Sequence, residues 1–349
     1  MFQNLNTQAY LFLPRALSPL LKKQLYQKAL KAFFKLRKDL ISHNPKIKTI
    51  IHIFDHTIKP VLLYASEIWG SMKPSKISRN PGGTIDKLYP NLYCDKLHLK
   101  FCKSILGVHK TATNFAVLSE LGRFPLHFDI VKAMLNYWYR LDNLGKSFPL
   151  LNDAYCESKL LYEQNIPSWY TTINFLINKL DGSQNLRGVK ESKFKSALKN
   201  CLFKNYINEW RLQASLHSDK KLSCYVSLKQ SFGLEKYLNL LKNFEQRRNF
   251  TRFRISAHRL NIERGRYQGI PRESRHCMRC NSGVLDDEKH FLLTCSYNKE
   301  DRDVLQELVN EVCKNFCTMN NDQKLFWLMT NEDHRVLQQI SKMISQAGI

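Results

Sequence analysis

The sequence contains no apolar run approaching the roughly 18 residues needed to cross a bilayer. Its opening stretch, Met1 to Arg15, lacks the charged start, long apolar core and small-residue cleavage site of a secretory signal. Together these absences predict an intracellular protein of the nucleus or cytoplasm, neither secreted nor held in a membrane. Catalytic signatures are missing as well: there is no Gly-rich phosphate loop, no nucleophile elbow and no HExxH pattern. Nothing in the sequence therefore assigns catalysis, or a small-molecule substrate, to this chain. Internal repeats and low-complexity tracts are absent too, and 349 residues with 43% hydrophobic content suffice for more than one core.

Acidic residues are the other scarcity. Asp and Glu number 30 against 54 Lys and Arg, a formal charge of +24, which suits a polyanionic partner such as nucleic acid. Residues 297–349 hold six basic and eight acidic residues, so the excess belongs to the body of the chain. The one Asp-Asp pair, Asp286-Asp287, invites comparison with a polymerase carboxylate motif. Val284 and Leu285 precede it, however, where a palm motif carries an aromatic. A surface acidic turn, or the first turn of a short helix, is the expected setting.

What is present is helical pattern. Apolar residues recur at helical spacing almost throughout, and the chain reads as mainly α. Ser18-Pro19 forms an N-cap and first-turn pair for a helix to about Ile41, with Leu25, Ala29, Phe33, Leu36 and Leu40 on one side. Lys28, Lys31, Lys35 and Lys38 lie on the other. A second helix is expected from about Lys46 to Trp69, kinked or broken at Pro60. The stretch Ser71 to Thr84 reads as a loop. Helices are expected at about 85–106, 114–121, 125–144, 151–164, 168–180, 190–215 and 234–263, with linkers at Asp181 to Gly188 and Gly265 to Ser274.

Of ten cysteines, seven (Cys94, Cys102, Cys156, Cys201, Cys224, Cys313 and Cys317) are scattered without ligand-like company. The other three fall beside a histidine: Cys277-x2-Cys280-x9-His290-x4-Cys295. The tight pair suits a turn aiming two thiolates at one ion, and the His-x4-Cys spacing suits about one helical turn. Four soft or borderline donors make a closed, structural Zn2+ site. Ordinary buried thiols with a chance histidine are the alternative.

Ten arginines and no lysine occupy Arg247 to Arg279, opposed only by Glu263 and Glu273. On a helical wheel Arg248, Arg252 and Arg259 fall together, with Phe250, Phe253, Ala257 and Leu260 opposite. Arginine grips phosphate bidentately and stacks on bases, so Arg248, Arg252, Arg259, Arg264, Arg266, Arg272, Arg275 and Arg279 are the candidate contacts to RNA or DNA. Tyr267 offers a ring for stacking. The alternative is a solvated charged face.

One resemblance follows from particular residues. Thr251-Arg252-Phe253-Arg254-Ile255-Ser256-Ala257-His258, Ile262-Glu263-Arg264-Gly265-Arg266-Tyr267, the cysteine pair, and Asp287-Glu288-Lys289-His290-Phe291-Leu292-Leu293-Thr294-Cys295 stand in a set order. This order resembles the C-terminal end of reverse-transcriptase polyproteins from animal non-LTR (LINE-type, jockey-like) retrotransposons. Upstream, Ala29 to Leu36 and Ile58-Lys59-Pro60-Val61-Leu62-Leu63-Tyr64-Ala65-Ser66-Glu67-Ile68-Trp69-Gly70 look like the thumb and the helix after it. Leu97 to Val108 and Glu120 to Leu126 continue the likeness, which covers most of residues 20–300.

The resemblance implies a piece downstream of the polymerase palm, without the family's catalytic aspartates. It implies thumb-like helices over 1–70, a helical linker domain over 71–180 and a basic helical region over 181–266. A CCHC zinc knuckle over 267–297 and a helical tail over 298–349 complete the expected order. The gap before His290 is longer than in retroviral knuckles, so packaging-signal recognition is not implied. The expected function is binding of RNA or target DNA in partnership with the upstream polymerase domain. The alternative is a domesticated protein-interaction scaffold with a zinc clip, docking a partner through Val304, Leu305, Leu308, Val312 and Phe316.

Overall fold

The computed structural model describes residues 19–38, 45–72, 84–143, 148–180, 186–217 and 221–349. The Ser18 cap, most of the 71–84 loop and most of the 181–188 linker lie outside these residues. The described chain is helical. Among the described residues there are no strands, only the isolated antiparallel bridges Leu121↔Leu234 and His276↔Leu285. No described helix is long and apolar enough to cross a membrane.

The chain divides into two compact units, each gathered from three separate stretches. Unit 1 comprises Met1–Asp39, His52–His98 and Phe124–Trp210. Its first helix, 19–38, buries Leu25, Ala29 and Phe33, leaves Leu36 half-buried and exposes Lys28, Lys31, Lys35 and Lys38, as the 3.6-residue repeat requires. The expected helix 46–69 is in pieces. A π-turn, Phe54–Ile58, precedes the short helix Lys59–Leu62, and Ala65 then turns left-handed at φ 53° before Ser66–Trp69. Pro60 has no N–H to give, and the wider turn ahead of it accommodates that loss. Gly70 lets this segment approach Leu126–Asp142 closely: a Cβ there would sit 2.4 Å from the Ile130 side chain and 2.8 Å from Met134 Sδ. The expected helix 85–106 also splits, into Ile85–Leu88 and Tyr93–Leu106, at Pro90. Pro149–Glu163 and Trp169–Leu180 follow the expected bounds within two residues.

Unit 2 comprises Leu40–Ile51, Leu99–Arg123 and Arg211–Ile349. Asn114–Glu120 ends at Gly122, whose φ of +59° and 2.6 Å clearance to the Leu234 amide nitrogen admit no side chain. Phe244–Arg254 packs against His334–Gln346, which buries Val336, Leu337, Ile340, Met343 and Ile344 on one stripe. The Ser341 hydroxyl ties the two by donating to the Gln246 carbonyl at 3.0 Å. In Lys299–Val312 and the turn after it, Leu305, Val309 and Phe316 point inward, leaving Val304 and Val312 exposed. Of the five residues expected to dock a partner, Leu305 and Phe316 are thus used inside the unit, Leu308 is half-buried, and Val304 and Val312 remain exposed.

At the heart of unit 2 is a buried ion network. Arg254, with no exposed side-chain surface, lies 3.2 Å from the equally buried Glu120 and 3.0 Å from Glu235. Its Nη1 donates to the Met329 carbonyl at 2.5 Å, and the Tyr237 hydroxyl donates to Glu120 at 2.6 Å. Against the effect of burial, the two carboxylates raise the guanidinium pKa and hold it charged.

Candidate metal centre

Residues 275–286 fold as a narrow loop closed by two backbone hydrogen bonds, Cys277 N–H to Val284 at 2.9 Å and Asp286 N–H to Arg275 at 2.9 Å. Asn281 and Gly283 take positive φ at its tip, which turns the chain sharply enough to bring Cys277 and Cys280 to one side. The other two donors come from an unusual turn. An α-helix advances 100° per residue, so positions five apart diverge by about 140°. Here His290–Thr294 is a π-turn, and the Cys295 amide donates to the His290 carbonyl at 2.8 Å, stacking residue 295 over residue 290. The four-residue gap expected to fit an α-turn therefore fits a wider one.

The four ligand atoms lie within 4.8 Å of one another and could hold a metal ion. The Cys277 and Cys295 sulfurs are 3.8 Å apart, and Cys280 Sγ is 3.2 Å from His290 Nε2. Thr294 donates its hydroxyl to the His290 carbonyl and lies 3.0 Å from His290 Nδ1. A proton on Nδ1 then donates to Thr294 and leaves the Nε2 lone pair facing the sulfurs. Although burial acts the other way, hydrogen bonds from Ser282 and Cys277 pull the Cys280 thiol down to about 6, whereas burial pushes Cys277 up to about 11. A cation arriving at this set displaces the protons that its thiols still carry.

Of the two settings expected for the acidic run, the structure shows the start of a helical turn, at Glu288, and not a surface turn. Asp286 and Glu288 are buried. Asp286 accepts from the Asn261 amide at 2.6 Å and from Arg279 at 2.5 Å. Glu288 lies 2.9 Å from His258 Nε2 and 3.4 Å from the Ser256 hydroxyl, while Asp287 accepts from the His290 amide at 2.8 Å and so caps the turn that carries it. The residues preceding the ligand loop are thereby fastened to it. Sequence reasoning missed His258 and Asn261 because their partners are distant along the chain, and Thr294 because only the π-turn shows that it meets His290, four residues away.

The arginine segment is not one helix. The expected 234–263 helix is interrupted: Phe244–Arg254 ends, Ser256 turns left-handed at φ 52°, and Asn261–Tyr267 begins a new helix. The hydrogen bonds of Ser256 and His258 to Glu288 outweigh the helical pattern there. The structure nonetheless keeps Arg248, Arg252 and Arg259 near each other: burial first, then the charges of Arg248 and Arg259, lower the Arg252 pKa. Arg252 donates Nε to the Gly107 carbonyl at 3.0 Å, and Arg248 meets exposed Glu245 at 2.8 Å. Arg259, Arg264 and Arg272 are exposed. Arg266 pairs with Glu263 at 3.0 Å, Arg275 donates to the Ile270 and Ile262 carbonyls, and Arg279 pairs with Asp286. Tyr267 is exposed, with Arg266 4.3 Å over its ring.

No family model matches the chain, and neither a curated protein nor a solved structure matches it.

Proposed function

We propose that this chain binds RNA or DNA as the portion of a non-LTR retrotransposon reverse transcriptase downstream of the polymerase palm, with a structural zinc ion at its Cys3His site. The donor chemistry supports zinc. Tetrahedral bonds of about 2.3 Å to sulfur and about 2.0 Å to nitrogen imply ligand separations of about 3.8 Å and about 3.5 Å. The observed sulfur–sulfur distance is 3.8 Å and the sulfur–nitrogen distance 3.2 Å. Three sulfurs and one imidazole leave no open position for water, so the ion would lock the 275–295 segment and perform no chemistry.

The observation that carries nucleic-acid binding is the group of half-buried Arg248 and Arg252 with exposed Arg259, within a run of ten arginines opposed by two glutamates. A surface that holds guanidiniums against their own repulsion gains most when a phosphate arrives. Arg264 and Arg272, both exposed, extend the cationic surface of the same segment. Backbone phosphates are the expected targets, and the palm's aspartates have no counterpart here, so the chain alone does not polymerise.

Anisotropy of labelled RNA and DNA across a salt series tests this. The logarithm of affinity should fall by roughly 0.7 to 0.9 per phosphate contact for each log unit of salt. Replacing Arg259 by Glu together with Arg252→Gln, which keeps an N–H for Gly107, should abolish binding while metal content is retained. Affinity indifferent to both salt and this double substitution would sink the proposal.

A further inference from the structure

Unit 2 holds a cleft of about 890 Å³, a size typical of sites for small organic ligands, about 300–1,000 Å³. None of the four Cys3His residues lines it. Part of its wall is apolar and aromatic, from Met319, Phe326 and Trp327. Trp327 is half-buried and oriented by edge-on packing on Phe316 at 5.5 Å between centroids. Arg266, Arg272 and Arg275 supply cations.

Carboxylates line the cleft too, but each is engaged. Glu263 pairs with Arg266 at 3.0 Å, Glu288 with His258 at 2.9 Å and Asp322 with Lys289 at 2.6 Å, while Asp287 accepts from the His290 amide. An amide hydrogen bond leaves the Asp287 charge in place, and two guanidiniums without an ion pair outnumber it. Arg272 is exposed on the turn Arg272–Ser274 and has no ion-pair partner among the described residues. The Arg275 guanidinium donates to the Ile262 and Ile270 carbonyls, which orient it without neutralising it, and has no ion-pair partner among the described residues. Its stem lies over Gly265, where a Cβ would come within 2.8 Å of Arg275 Cγ, so the absence of a side chain there sets the arginine's position.

An apolar ligand has no use for two unneutralised guanidiniums, and an inorganic anion none for an indole. A nucleotide uses both, because its base stacks on an aromatic ring while its phosphate takes the arginine forks. We propose that this cleft receives one unpaired nucleotide of the bound strand, its base against Trp327 and Phe326 and its phosphate at Arg272 and Arg275. This assignment rests on the nucleic-acid reading above and adds a preference, since a duplex must first unpair a base to fill the cleft.

The test compares full-chain wild type, Trp327→Ala, Trp327→Phe and Arg272→Ala for binding to an unstructured RNA of about 12 nucleotides, within the span of one single-strand site, and to the blunt duplex of the same sequence. Trp327→Ala should weaken single-strand binding roughly 5- to 150-fold and leave duplex binding unchanged. Trp327→Phe should recover most of the loss, and Arg272→Ala, on an exposed turn that needs no repacking, should weaken both probes but the single strand by the larger factor. Equal losses on both probes, or none in either Trp327→Ala or Arg272→Ala, would overturn the cleft assignment while leaving nucleic-acid binding intact. Wild type that binds neither probe at low salt would instead overturn the reading beneath it. Adenosine monophosphate is the remaining probe: saturable binding abolished by Trp327→Ala, with strand affinity untouched, would assign the cleft to a free nucleotide and overturn the proposal.

Discussion

Replacing Arg254 by Leu removes the cation from the interior of unit 2, and its cost follows from the groups left without a partner. Glu120 is deprived of the guanidinium at 3.2 Å, Glu235 of the same group at 3.0 Å, and the Met329 carbonyl of its donor. Glu120, with no side-chain surface exposed, keeps only the Tyr237 hydroxyl at its other oxygen, and Glu235 keeps Lys229. Breaking a buried pair from one side costs about 3–5 kcal/mol, because the carboxylate left behind stays away from water without its counter-charge. That loss corresponds to amide exchange faster by roughly two to three and a half orders of magnitude where exchange requires opening of the unit. Hydrogen exchange read over Phe244–Arg254 by mass spectrometry is the assay. Arg264→Leu, on the exposed surface, is the control and should change stability by no more than about 0.5 kcal/mol. Substituting both partners, Arg254→Met with Glu120→Leu, should regain part of the loss, since apolar replacement of a whole buried pair is often near neutral. Exchange in Arg254→Leu within about tenfold of wild type would refute the reasoning, because tenfold equals only about 1.4 kcal/mol.

Two further outcomes are expected. Purified protein should carry about one zinc per chain and lose it in Cys280→Ser, while Thr294→Val, which removes the partner of His290 Nδ1, should weaken metal affinity by about 10–100-fold; full zinc retention in Cys280→Ser by elemental analysis would remove the site. In unit 1, burial raises the Glu209 pKa above 4.5, and its Oε2 has no hydrogen-bond partner. The folded carboxyl keeps its proton where the unfolded one has lost it, so stability is greatest below 4.5 and falls as pH rises through the raised folded value. Glu209→Gln should flatten that slope, and calorimetry at about pH 5 and about pH 8 that finds equal slopes in both proteins would contradict it.

Helices bounded by strong local signals, such as Pro125 ahead of Leu126, were legible in the sequence. Leu126–Asp142 and Glu191–Ser215 stand within two residues of their expected bounds. Helices failed where a distant group competes for the backbone. Nothing local to Phe253-Arg254-Ile255-Ser256 announces that Glu288 will hold Ser256 and His258, so the periodic pattern ran through a turn. The metal donors were readable because soft ligands at turn spacing form a local signal, and the structure brings all four together. The arginines were readable as charge and not as roles. Arg254, at the centre of a buried network, and Arg259, on the surface, carry the same side chain five residues apart. Which one faces water depends on Glu120, more than a hundred residues earlier in the chain.

The fastening of Asp286 and Glu288 to Asn261 and His258 bears on how portable the metal site is. A peptide begun at Tyr267 would contain every ligand, yet the Ile262 amide that donates to the Asp286 carbonyl and the Ile262 carbonyl that receives Arg275 would both be missing. Such a peptide would have to spend binding energy from the metal on ordering a loop that the longer chain orders in advance. Phe253 also packs 5.5 Å from Phe291 on the turn that carries His290, so a graft expected to bind metal needs this preceding stretch as well as the four donors.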